Sequence, residues 1–183
     1  MNWFNTILIL LAAFVVVFAQ ASFNGLRDVI GVQVDLLPSL VVYASLSSGL
    51  PTLALVAVAG GLWADSLSAN PPGISVLPLF LIGLLIERYH GLILRDLTFT
   101  QLVLGLAVSA AAPVLTLLLL VSVGAKPLVG WFSLWQWLVV SLAGAVMTPV
   151  WFWAFDRVNR VLNYRPWNEN SFRPDRQIKR GRG

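Results

Sequence analysis

Two carboxylates stand almost alone in long apolar surroundings, and any membrane chemistry would have to begin with them. Asp35 is the only charged residue between positions 29 and 64, and Asp65 follows directly. An ionisable group at membrane depth is costly and marks function by default, yet near a span end a carboxylate also serves as a helix cap. For Asp65 capping or loop bracing is the expected role; Asp35 is open to both readings. The catalytic alternatives fail on residue type or spacing. With no cysteine in the chain, thiolate metal sites, disulfides and cysteine nucleophiles are excluded. The single histidine is His90, and there is neither an HExxH helix nor a phosphate loop. Gly73-Ile74-Ser75 fits the start of an intramembrane serine-protease motif. His90, however, lies fifteen residues beyond Ser75, about 22 Å along one helix, whereas a Ser–His pair needs hydrogen-bond reach. One histidine without cysteine also makes a poor soft-metal site. The chain is therefore not read as an enzyme, and no cofactor or metal is expected.

Packing chemistry is more visible. Ala57, Gly60 and Gly61 form Ala57-x-x-x-Gly61 and Gly60-x-x-x-Ala64, and Ser141, Gly144 and Ala145 form Ser141-x-x-x-Ala145 and Gly144-x-x-x-Thr148. In lipid no hydrophobic drive joins helices, so small residues that let backbones approach supply the contact. Packing within the chain is the simpler reading; docking of a partner's transmembrane helix is the functional one, and a homodimer is compatible with it.

The elements that carry these residues follow from charge. Only 11% of the 183 residues are charged and 58% are hydrophobic, against about 25% charged in soluble domains. Residues 1–26, 36–64, 66–86, 97–125 and 127–155 contain no Asp, Glu, Lys or Arg. Each is long enough for a helix of about 20 residues to cross a core of about 30 Å. The stretch from 29 to 64 would reach roughly 54 Å as one helix, so a break is expected at Ser47-Ser48-Gly49-Leu50-Pro51. The reading is an all-α, six-span bundle over 1–155, with spans at about 3–23, 29–47, 50–66, 74–87, 98–123 and 132–155. The first span is expected to stay uncleaved despite Ala19-Gln20-Ala21, because no basic residue precedes its apolar run. Pro78, Pro113 and Pro149 fall inside spans, where neighbouring helices satisfy freed carbonyls.

Orientation is set by Lys and Arg. With the tail in the cytoplasm, the inner face holds Arg88, Arg95 and eight residues beyond 156, and the outer face holds Arg27 and Lys126. That asymmetry places the tail inside, and the six spans set by the break at Gly49–Pro51 bring the N-terminus to the same side. Trp131, Trp135 and Trp137 at one end of span six, and Trp151, Trp153 and Phe155 at the other, are expected as interfacial anchors. Residues 156–183 form a basic juxtamembrane helix followed by a disordered tail. Arg157, Arg160 and Arg165 are its contacts with anionic inner-leaflet lipid; a nucleic-acid partner is not expected.

One resemblance emerges from these residues. Asp35-Leu36-Leu37 opening span two, Gly49 after it, Gly60-Gly61-Leu62 leading to Asp65, Gly73 in the next loop and Gly83 in span four make the chain similar to the rod shape-determining MreD family of the bacterial inner membrane. The likeness covers about residues 29–125. It departs at Val34, where that family often has proline, and at Ser47-Ser48, where it often has arginine. The resemblance implies a non-enzymatic component of the elongation complex that binds MreC directly. Through MreC it would work with MreB, RodA and the elongation-specific penicillin-binding transpeptidase in lateral peptidoglycan synthesis and cell shape. The family is also similar in fold to the substrate-binding components of energy-coupling-factor vitamin transporters. A six-span solute-binding subunit is thus the rival expectation, and it calls for an outward pocket lined with polar side chains from several spans.

Overall fold

The computed structural model describes residues 3–22, 31–32, 34–68, 70–89, 91, 97–124 and 130–162. Among these the chain is all-helical, with α1 (Trp3–Ser22), α2 (Leu37–Ser47), α3 (Gly49–Leu67), α4 (Val76–Arg88), α5 (Thr98–Ser122) and α6 (Trp131–Leu162). α1, α3, α5 and α6 are long and apolar enough to cross a membrane. Their exposed faces carry large apolar side chains such as Leu11, Phe18, Leu55, Leu118 and Trp153, a surface suited to lipid and not to water.

The remaining two helices are short, α4 about as short as the sequence suggests and α2 shorter. α2 has 11 residues and α4 has 13, about 16 Å and 20 Å at about 1.5 Å per residue. Neither matches a core of about 30 Å. Among the described residues the expected span over 29–47 is helical only from Leu37, and the one over 74–87 runs Val76–Arg88. In each case a carboxylate fixes the start. Asp35 Oδ1 accepts the Leu37 N–H at 3.0 Å with proline in the first turn, where its missing N–H costs nothing. Residues 34–36 are non-helical, which is tolerated at depth where the backbone lines a cavity or is wrapped in protein.

The break between α2 and α3 falls where glycine and proline indicate. Ser48 closes α2 by donating its N–H to Ala44 O at 3.0 Å. Gly49 follows at φ +72°, the left-handed conformation glycine adopts without strain.

α2 is the post of the bundle. Every residue from Leu37 to Leu46 is buried, as a helix apolar all round requires. It contacts α1, α3, α4, α5 and α6. Those five form a ring in the order α1, α3, α4, α5, α6, each against the next. The ring is open on one side, because α1 makes no more than marginal contact with α5 or α6.

Away from that opening α6 is clamped to the post by aromatic packing. Tyr43 stacks on Phe155 at 4.3 Å and meets Phe152 edge-on at 5.0 Å. Trp151 Nε1 donates to Ser39 Oγ at 3.0 Å. The expected aromatic belt at this end is corrected accordingly. Trp151 and Phe155 point into the bundle, and Trp153 alone of the three is turned outward, 66% exposed. At the other end Trp131, Trp135 and Trp137 are all exposed. α6 also runs unbroken through Pro149 to Leu162, so residues 156–162 continue its last turns instead of starting a separate juxtamembrane element.

Candidate functional site

The most elaborate polar contacts lie at the end of the bundle opposite Arg157 and Arg160. Asp65, in the last turns of α3, is 1% exposed. Its Oδ2 accepts the N–H of Gly73 at 2.8 Å and of Ser75 at 3.1 Å, and its Oδ1 accepts the Ser75 hydroxyl at 2.5 Å. One carboxylate therefore folds the connection back on α3 and satisfies a donor at the residue before α4. Buried donors need such partners, and charge-assisted bonds are about twice as strong as neutral ones. Gly73 turns at φ +92° to present its N–H. Asp65 is a brace, as the sequence reading expects.

The small residues are turned inward. Ala57 is fully buried. A Cβ on Gly60 would meet the Leu37 side chain at 2.9 Å, and one on Gly61 would meet the Val76 backbone at 2.9 Å. Gly83 accommodates Leu53 and Val41, and Gly144 accommodates Ser109. Ala145 and Ser141 are buried, with Ser141 Oγ donating to Trp137 O at 2.7 Å. Packing within the chain uses all of these faces. Gly105-x-x-x-Ser109 on α5 belongs to the same set, since a Cβ on Gly105 would strike Thr148 and the Gly144 carbonyl. The sequence reading passed over this pair, although its spacing is the same four-residue signal. Arg157 and Arg160 are exposed on the last turns of α6; Arg165 lies outside the described residues, as do Arg27, His90, Arg95 and Lys126.

Asp35 stands at a cavity of about 340 Å³. Side chains from all six helices, and from the segments before α2 and α4, converge there. The polar ones include Gln20 of α1, Asp35, Asn70, Thr116 of α5 and Gln136 of α6. The walls between them are aliphatic, including Val17, Leu79 and Val140. The connection between α3 and α4 supplies only Ser68, Asn70 and Ser75 of this lining. Gln20, Thr116 and Gln136 were not singled out because each lies within a span and meets the others only through the fold. Among the described residues, Gln20 Nε2 is buried without a hydrogen-bond partner.

Comparison with known protein families, with curated proteins and with solved structures returns no match.

Proposed function

We propose that this chain is a non-enzymatic membrane component of a rod or elongation complex, of the kind represented by MreD. In this reading it has six spans counted through the short α2 and α4, both termini in the cytoplasm of a bacterial cell, and MreC as its direct partner. The observation that carries it is where the resembling residues lie. Gly60 and Gly83 are close-approach points on the central helix and Gly61 is one on α4, Asp65 braces Gly73, and Asp35 and Gly49 begin and end the α2 post. The motif thus coincides with the architecture that a shared fold must preserve. The basic end of α6 supports the cytoplasmic placement.

Because Gly61 packs on Val76, a partner helix reaches α3 only by its outward stripe, Leu55, Val58 and Leu62, each 41–45% exposed. The test is co-purification of the full chain with MreC in mild detergent, beside depletion in a rod-shaped host, which should round the cells. Val58→Trp should lower MreC recovery about tenfold, about 1.4 kcal/mol. Undiminished recovery removes α3 as the docking face; no recovery with the unaltered chain removes the reading.

The cavity favours a second reading, the solute-binding subunit of an energy-coupling-factor transporter. It offers a pocket with polar groups from several helices, and tight binding of a vitamin to the purified chain would decide for it.

A further inference from the structure

The cavity and the open side of the ring are one feature. The helices that meet no more than marginally are α1 on one side and α5 and α6 on the other, and all three contribute to the cavity wall. It therefore lies beside the seam, backed by the start of α2 and bounded at one end by Ser68, Asn70 and Ser75 of the α3–α4 connection. On α5 its lining begins at Ala112, ten residues before the helix ends at Ser122, which is about 15 Å of depth. That is roughly half of a core of about 30 Å. The cavity thus extends from the polar boundary to near the midplane.

Its chemistry is one-sided. The lining includes a carboxylate on Asp35, carboxamides on Gln20, Asn70 and Gln136, and a hydroxyl on Thr116, set in aliphatic walls. Asp35 Oδ1 holds the Leu37 N–H, and no other bond to this carboxylate is made by the described residues. The described cationic side chains, Arg88, Arg157 and Arg160, lie on the last turns of α4 and α6 at the opposite end. A carboxylate beside lipid is costly unless paired, so the complementary occupant is a cation with N–H donors. At about 30 Å³ per water the volume corresponds to about ten waters. That is the low end of the roughly 300–1,000 Å³ of ligand pockets, enough for a headgroup or a small amine and too little for a folded peptide.

We propose that this seam cavity binds a primary ammonium group on a small or amphiphilic molecule, held by the Asp35 carboxylate and the Gln20 and Gln136 carboxamides, with entry between α1 and the α5–α6 hairpin. An aminated lipid headgroup is the favoured source, because the cavity lies between helices long and apolar enough to span a membrane and its aliphatic walls suit the first methylenes of an acyl chain. A free amine offers the same ammonium chemistry. The inference stands on the cavity and does not depend on a role in an elongation complex.

The full chain is reconstituted in nanodiscs of equal parts phosphatidylethanolamine and phosphatidylglycerol, then released for native mass spectrometry. Phosphatidylethanolamine should be retained at least tenfold over phosphatidylglycerol. Asp35→Asn, which keeps an acceptor for Leu37, should abolish that preference, and Val140→Trp, which fills the cavity, should lower retention of both lipids. Free ethanolamine is titrated in parallel: displacement of the lipid at millimolar concentration assigns the site to soluble amines, and no displacement assigns it to the lipid. Equal retention of the two lipids without ethanolamine binding, or an unchanged preference in folded Asp35→Asn, overturns the proposal.

Discussion

Replacing Asp65 with alanine tests whether one buried carboxylate holds the connection between α3 and α4. The substitution strands three donors, the N–H groups of Gly73 and Ser75 and the Ser75 hydroxyl. Each buried group left unpaired costs about 1–3 kcal/mol. These bonds are partly buried, so water recovers some of the loss and the low end applies to each. The sum is about 3 kcal/mol, a rise of about a hundredfold in the local opening equilibrium. Amide hydrogen exchange reads that opening residue by residue, so exchange at Gly73 and Ser75 should accelerate about a hundredfold in Asp65→Ala. In Asp65→Asn one carbonyl acceptor remains but the charge is lost, and acceleration should be about tenfold. Amides in the middle of α2, which does not depend on the brace, should stay within a factor of about three. Exchange at Gly73 and Ser75 in Asp65→Ala no faster than in the parent protein would refute the brace.

Gly61→Ala and Gly49→Ala should both destabilise, for different reasons. At Gly61 the new methyl meets the Val76 backbone at 2.9 Å and cannot be sidestepped, an overpacking cost of about 1–3 kcal/mol. At Gly49 nothing lies within 4 Å but φ is +72°, a conformational cost of about 1–2 kcal/mol. Shortening Val76 to alanine should relieve neither, since the Gly61 clash includes its Cα and N; steric unfolding in sodium dodecyl sulfate measures all of them. The Thr6–Thr52 hydroxyl contact, 2.8 Å between α1 and α3, should show a coupling of about 0.6 kcal/mol in a Thr→Val double-mutant cycle, as interhelical bonds in membranes do. A coupling near zero would mean that apolar packing alone holds α1 to α3.

Much of the architecture was legible because membrane burial writes itself in charge-free length. The length at α4 came within two residues of the helix at either end, and the one that failed, at α2, failed for a plain reason. Hydropathy reports how long an apolar stretch is and cannot say which part of it is helical. Residues 34–36 are as apolar in context as the helix that follows, and only the Asp35 hydrogen bond and the adjacent proline mark the start. Asp65 was legible as a brace because a lone carboxylate at a span end, followed by an Asn-Pro-Pro-Gly loop, has few other uses. The cavity was not legible. Gln20 and Gln136 are more than a hundred residues apart in sequence, and each read singly is a polar residue tolerated inside a span. The scant contact of α1 with α6 turns them into one wall, and no local pattern encodes a weak contact.

That weak contact divides the molecule. On the side of α3 and α4, glycines bring backbones so close that a single methyl has no room, and such interfaces have little freedom to slide. Across the seam α1 is joined to the α5–α6 pair chiefly through α2. The start of that helix lies within a short hydrogen-bonded run: Asp35 takes the Leu37 N–H, the Ser39 hydroxyl donates to the Leu36 carbonyl at 2.6 Å, and Trp151 donates to the same hydroxyl. A charge arriving at Asp35 therefore acts on a segment tied directly to the far half of α6, the half that ends in the exposed Arg157 and Arg160. Any displacement of residues 35–39 must either break the Trp151 bond or carry α6 with it. The rigid side of the ring supplies the fixed frame against which such a movement would be made.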